Sequence, residues 1–421
     1  MKYLIYIVAI VLIGGLTSVH KRDKLESFFL QINTDVTQKG RAYETLGEAT
    51  KTIGHRLTGS PNGKLSEEFA YNLLSKYGYK NTQFDPFEVE AWSRSNVTLS
   101  IVPDNSDNFH DLEVVALAHS PVSSHIRAQI VDCGDGLDAD FEKVKKEIKG
   151  KIALFNINVQ LPENKSKSNL HRSEKTALAI QYGAAGVIIA NAVKGGVLLT
   201  GTASVTGELI PIPAVCISVE DGIAIRDWIT EEENILAIID MQNFSRPIRA
   251  RNVIASHVGR SKKLKSEKII IGAHLDSWDL ATGAMDNGIG AFSVLDIARV
   301  FKSLNLKTKR TVEFVLFMGE EQGLLGSRHL VNRYKEEGKL DNVKLMMNLD
   351  MVNNAQGFNA YGRDELKVFV DGIGEKIKKV DASYGSRNSN RAGLHSDHQS
   401  FMMQGVPVIS PSGSFPIKAY N

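Results

Sequence analysis

Ile269-Ile270-Ile271-Gly272-Ala273-His274-Leu275-Asp276-Ser277-Trp278-Asp279 is the stretch that decides the fold. An unbroken run of apolar and small residues ends on a histidine and two aspartates, as a strand does where it leaves a sheet. Two later runs behave alike: Val312-Glu313-Phe314-Val315-Leu316-Phe317 leads to Glu320, and Leu345-Met346-Met347 leads to Asp350. In an open α/β sheet the ligand crevice lies outside the carboxyl ends of the strands. Acid residues delivered to that edge from separate strands point to a metal site, because carboxylates crowded together need a cation.

The chemistry follows from the residue types. An imidazole and several carboxylates suit zinc, and an oxygen-rich set also accepts manganese or cobalt. His274 and Asp276 are two apart, so on an extended strand they point to the same side. Asp276 is then placed to accept the second ring proton of His274 and fix its tautomer. Asp286 follows His274 by twelve residues, in a loop flanked by Gly283 and Gly288 that admits a close approach. Glu320 and Glu321 are adjacent, so one reads as a metal ligand and its neighbour as a general base. A lone His-x-Asp or Glu-Glu pair arises readily by chance; the joint order and the placement after strands carry the reading.

These motifs, His274-Leu-Asp-Ser-Trp-Asp, Gly283-Ala-Met-Asp-Asn-Gly, Gly319-Glu-Glu-Gln-Gly and Asn348-Leu-Asp, resemble those of the M28 family of metallopeptidases, and within it the carboxypeptidase Q subgroup. The resemblance extends to Gly54-His55-Arg56-Leu57-Thr58-Gly59-Ser60 and to an inserted middle domain, so it covers most of the chain. It implies a co-catalytic pair of zinc ions. His274, Asp286 and Asp350 would hold the first, Asp286 would bridge to the second, and Glu321 would bind that second ion. Glu320 would be the general base and Asp276 the partner of His274. The family also often has a cis peptide after the bridging aspartate, here Asp286-Asn287.

One departure from the family pattern concerns the carboxyl end. The second zinc of the family takes a further histidine from a Tyr-His segment, which would fall about where Ala419-Tyr420-Asn421 stands. The expectation is therefore a chain that continues further, with a weakly held second metal in residues 1–421. His395 and His398, in Leu394-His395-Ser396-Asp397-His398-Gln399-Ser400-Phe401, resemble a different family segment near the active site and are not promoted to that ligand. They divide evenly between a substrate-side role and a packed loop. Trp278, beside the sheet end, reads as packing before it reads as a pocket wall.

A chain of 421 residues exceeds what one core supports, and 43% hydrophobic with 23% charged residues is ordinary for a globular enzyme. The net charge of +2 argues against an electrostatic nucleic-acid binder. Cys133 and Cys216 permit one disulfide at most, and their apolar surroundings suit buried thiols equally well. Lys2 followed by the apolar stretch Tyr3 to Ile13 and by small residues reads as a signal peptide over residues 1–20, too short for a stable membrane span. The expected location is secreted or extracytoplasmic, periplasmic or lumenal. Sequons stand at Asn96, Asn164 and Asn243.

The expected architecture is an α/β mixed-sheet peptidase domain with helices on both faces, residues 21–112 and 247–421, interrupted over 113–246 by a β-rich lobe around one helix. That lobe resembles a protease-associated domain in Tyr182-Gly183-Ala184-Ala185-Gly186-Val187 and Ile212-Pro213-Ala214-Val215-Cys216-Ile217. Helical spacing is expected for Leu65, Phe69, Leu73, Leu74 and Tyr77, and for Ala291, Val294, Leu295, Ala298 and Phe301 after the first metal motif. The function expected is a zinc-dependent exopeptidase acting on dipeptides or short peptides. Its partners would be that substrate and, at most, a second copy of the chain. Two other readings share the fold: a single-zinc glutaminyl cyclase, disfavoured by the inserted lobe and the His274-Leu275-Asp276 motif, and a non-catalytic binding protein, disfavoured by the presence of both Glu320 and Glu321.

Overall fold

The computed structural model describes residues 22–103, 109–231 and 234–413. They divide into two compact units. One holds the described residues up to Val89, Arg249–Glu320 and those from Leu324 on; the other holds Glu90–Ile248 and the short segment Glu321–Gly323. The expected signal peptide and the expected carboxyl-terminal extension lie outside the described residues. Among those residues no helix is long and apolar enough to cross a membrane.

The first unit opens with helices Arg22–Lys39, Ala42–Thr52 and Pro61–Lys76, then strand β1 (Gln83–Glu90). The second unit carries β2 (Ser93–Pro103), β3 (His110–Leu112), β4 (Val115–Ala116), β5 (Ser123–Asp132), β6 (Ile152–Asn156), β7 (Gly186–Ala190), β8 (Ala214–Ile217) and β9 (Ile235–Phe244). The chain then returns with β10 (Pro247–His257), β11 (Lys268–His274), β12 (Thr311–Phe317), β13 (Val343–Asn348), β14 (Gly357–Asn359) and β15 (Val408–Ser412).

In the first unit the strand order is β1-β10-β12-β11-β13-β15-β14. The neighbours β12, β11, β13 and β15 run parallel, whereas β10 and β14 pair antiparallel at either side, so the sheet is mixed, as expected. Helix Ile289–Ser303 connects β11 to β12, and helix Leu325–Glu336 connects β12 to β13. Parallel neighbours need such crossovers, and the result is that β11, β12 and β13 all end at one edge of the sheet.

Each face of this sheet is covered. On one, Phe314 of β12 meets Phe301 and Tyr79 edge-on, with ring centroids 5.2 and 5.7 Å apart. On the other, Val315 and Phe317 share a core with Leu330, Val331 and Phe401. Helix Ile289–Ser303 is buried from Gly290 through Phe301, and its two buried charges, Asp296 and Arg299, pair with each other at 2.6 Å. Phe314 is fully buried between the sheet and that helix, so Phe314→Ala should cost about 3–5 kcal/mol of unfolding free energy. Denaturant unfolding would measure it, and a cost below ~1 kcal/mol would contradict this packing.

Helix Pro61–Lys76 starts where the Ser-Pro pair allows. Ser60 accepts a hydrogen bond from the Gly63 amide at 2.9 Å, and Pro61 occupies the first turn, where no amide proton is needed. One residue departs from the expected periodicity: Leu65 is 49% exposed, whereas Glu67 is buried and paired with Arg251 at 2.5 Å. A buried ion pair leaves no trace in a hydrophobic pattern.

The second unit is an eight-stranded sheet ordered β3-β2-β9-β5-β6-β7-β8-β4, parallel from β5 through β8. The expected boundary at residue 112 lies instead at Val89, because β2 pairs along its length with β9, Leu99 opposite Ile239 and Ile101 opposite Ala237. An alternating strand does not announce which sheet it joins. Helices Asp138–Val144, Arg172–Gln181 and Val219–Glu231 replace the single helix expected for this lobe. Cys133 and Cys216 are free, buried thiols. Asn164 and Asn243 are buried and donate to Asp135 and to the Pro121 carbonyl, so of the three sequons the exposed Asn96 alone offers its side chain to solvent.

Candidate metal centre

His274 is the last residue of β11, Glu320 comes three residues after β12, and Asp350 two residues after β13. The parallel registers set Phe317 opposite His274 and Asn348 opposite Gly272, so the three side chains arrive together at the carboxyl edge. Asp286 comes from the turn Ala284–Gly288 that precedes helix Ile289–Ser303, and the Asp286–Asn287 peptide is cis. The His274 Nε2 stands 3.3 Å from Asp286 Oδ1, 3.4 Å from Asp350 Oδ1 and 3.9 Å from Glu320 Oε2. Among the described residues, the structure brings together one group of this kind, His274, Asp286 and Asp350, with one ligand atom from each lying within 4.8 Å of the others.

Neighbouring side chains hold this arrangement. Asp276 is fully buried; its backbone oxygen lies 3.2 Å and its Oδ1 3.6 Å from His274 Nδ1, and Oδ1 also accepts from the Glu320 amide at 3.3 Å. One carboxylate thus touches both the histidine and the turn that carries Glu320. Asn287 donates to the Leu349 carbonyl at 2.9 Å, and its Oδ1 accepts from the amides of Gly290 and Met351 at 3.1 and 3.0 Å. That ties the Asp286 turn to the loop bearing Asp350. The helix start must come close for this, and a Cβ at Gly290 would lie 2.1 Å from the Leu349 oxygen.

The electrostatics ask for a cation. Burial alone would lower the His274 pKa, yet the charges of Glu320 and Asp350 and the contacts with Asp276 and Asp286 raise it well above the usual histidine range. Burial likewise works to raise Asp350, but the positive charge on His274, with the polar contacts of His274 and Ser396, holds it below the ordinary value. Asp397, fully buried behind them, is pushed up to about 7 by burial, with Asp276 and Asp350 adding to the rise and His274 opposing it. Buried His274 Nε2 and Asp350 Oδ1 lack a hydrogen-bond partner. Ligand atoms ~2 Å from one tetrahedral zinc stand roughly 3.3 Å from each other. The 3.3 and 3.4 Å separations of His274 from the two aspartates fit that geometry, and so does the donor set.

The remaining candidate residues are not among these three grouped side chains. Glu321 opens the segment Glu321–Gly323, grouped with the second unit. His395 is exposed at φ 75°, its amide donating to Gln399 Oε1. His398 is buried, its ring 4.3 Å from that of Tyr361 and its Nε2 3.2 Å from the Gly393 carbonyl oxygen, a packed position. Neither belongs to the group formed by His274, Asp286 and Asp350. Trp278 is buried, 9% exposed. Sequence reasoning assigned no role to Asn287, Asp397 or Arg56; the motifs containing them were visible, but a buried polar contact depends on tertiary neighbours that a local pattern omits.

Comparison with known proteins bears on the fold and its domains. Residues 252–420 match peptidase family M28, and residues 122–225 match the PA domain. Over 376 residues the chain is 26% identical to carboxypeptidase Q of Xenopus laevis, covering 88% of this chain and 77% of that protein. It is similar to the solved structure of a peptidase M28 precursor from Shewanella amazonensis SB2B, with a TM-score of 0.76, 25% identity and coverage of 94% of this chain and 88% of that one. A zinc aminopeptidase from Bacillus subtilis is similar with a TM-score of 0.66, 27% identity and coverage of 88% and 84%. The strand-end histidine and acids, the lobe inserted in the sequence before them, and both matches lead to one assignment: the chain carries a peptidase family M28 domain over residues 252–420 and a PA domain over residues 122–225.

Proposed function

We propose that this protein is a zinc-dependent exopeptidase that hydrolyses dipeptides or short peptides. The observation that carries the reading is the grouping of His274, Asp286 and Asp350 at the carboxyl edge of parallel strands, with Glu320 3.9 Å from the histidine. His274, Asp286 and Asp350 would hold the ion, and Asp276 would keep the His274 ring in the tautomer that presents Nε2. Zinc held there would supply Lewis acidity to the scissile carbonyl and to the attacking water. Glu320 would accept that water's proton and return it to the leaving amine. Its side chain is 12% exposed, and its amide is fixed on Asp276, so the carboxylate is aimed while still reachable by substrate. The finer reading has a second zinc sharing Asp286, with Glu321 as a further ligand. Relatives bearing the names carboxypeptidase Q and zinc aminopeptidase support exopeptidase action, and the reading extends to a secreted or extracytoplasmic enzyme.

A substrate panel tests it. Purified protein with added zinc should cleave free dipeptides and should lose activity when one terminus is blocked. Equal cleavage of peptides blocked at both ends would contradict the exopeptidase reading. Release of ammonia from Gln-initiated peptides without chain cleavage would favour a cyclase instead.

A further inference from the structure

We infer that Arg56 is a positioning residue for the metal centre, acting through the loop that joins His274 to Asp286. The inference rests on the reading of His274, Asp286 and Asp350 as metal ligands. Arg56 is fully buried in the first unit. Its Nε donates to the Leu275 carbonyl at 2.6 Å, Nη1 to Thr282 at 2.8 Å and Nη2 to Gly283 at 2.7 Å, while its own amide donates to Ser277 Oγ at 3.0 Å. Leu275 lies between His274 and Asp276, and Gly283 comes three residues before Asp286. One planar guanidinium therefore fixes both ends of the loop that delivers two proposed ligands. Burying a cation is costly unless it is well hydrogen-bonded, and here the loop's carbonyl oxygens supply those bonds. The loop is folded tightly against it: a Cβ at Gly283 would lie 2.2 Å from the Ser277 Cβ and 3.0 Å from the Arg56 Nη2. The same segment reaches the next loop, since Thr58 Oγ1 accepts from the Gly319 amide at 2.7 Å, one residue before Glu320.

Charge and geometry act in opposite directions here. A cation behind the site repels zinc, so removing it on charge grounds would tighten binding. Loss of the three-carbonyl clamp would loosen the ligand spacing and weaken binding. Arg56→Lys keeps the charge and removes the planar fork, which isolates the geometric effect.

The experiment measures zinc affinity by competition with a chromophoric chelator, well below the unfolding temperature of every variant. Hydrogen exchange in helix Ile289–Ser303 reports on the fold. Arg56→Lys should weaken zinc binding by about 10–100-fold, the range found when residues that orient ligands are altered. Arg56→Ala should weaken it at least as much and should recover on addition of guanidinium ion, but not of sodium at equal ionic strength. Thr58→Val leaves the clamp in place, so its zinc affinity should stay within about twofold of the parent while kcat falls. Parent-like zinc affinity in both Arg56 variants would overturn the inference. So would tighter binding in Arg56→Ala, or equal zinc loss in Thr58→Val, which would mean that the segment matters only for general stability. A parent protein that binds no zinc would instead remove the metal-site reading on which the inference stands.

Discussion

Glu320→Gln should lower kcat on a free dipeptide by about 10²–10⁴-fold, the usual contribution of a positioned acid–base group, while zinc content stays at the parent level. The substitution is nearly isosteric and removes the group's ability to take a proton. Its amide contact with Asp276 Oδ1 is a backbone interaction and survives, so the turn stays in place. Glu320 Oε2 lies 3.9 Å from His274 Nε2, beyond the separations of the two aspartates, which suits a group beside the metal over one bound to it. Steady-state kinetics with metal analysis on the same sample separates the roles. Activity within tenfold of the parent would take the base assignment away from Glu320. Glu321→Gln should differ from it by showing weaker metal retention.

The second large effect is on metal binding. Asp350→Ala should abolish tight zinc uptake, exceeding the ~10–100-fold loss expected for residues behind the ligands. The reason lies in the arrangement of charge. Asp350 Oδ1 is buried, lacks a hydrogen-bond partner and stands 3.4 Å from His274 Nε2, so an ion between them would satisfy both atoms. Thermal unfolding measures the outcome. In the parent, zinc at one hundred times its dissociation constant should add about 2.7 kcal/mol of stability by mass action. Asp350→Ala at the same zinc concentration should show almost no rise in Tm. A rise equal to that of the parent would show that zinc binds elsewhere.

Much of the catalytic unit was legible because it obeys local rules. The apolar runs ending at Ala273, Phe317 and Met347 mark strands, and parallel strands linked by helices must end together. Helix Ile289–Ser303 was equally plain, since residues that pack on a sheet recur at helical spacing. Legibility failed where long-range partners decide. β2 reads as a strand of either sheet until β9 pairs with it. Glu67 and Arg56, of residue types seldom buried, lie inside because Arg251 pairs with the first and the carbonyls of Leu275, Thr282 and Gly283 accept from the second. The site followed the same division. His274, Asp286, Glu320 and Asp350 stand in recognisable motifs, whereas the bonds that Asn287 makes to Leu349, Gly290 and Met351 needed the folded chain.

The central claim is that His274, Asp286 and Asp350 form a zinc centre, and anomalous scattering from crystals grown with zinc tests it most directly. Data collected above and below the zinc absorption edge should place a peak about 2.0–2.2 Å from His274 Nε2 and from a carboxylate oxygen of both Asp286 and Asp350. No zinc peak among these three side chains, or a peak elsewhere in the protein alone, would contradict the account.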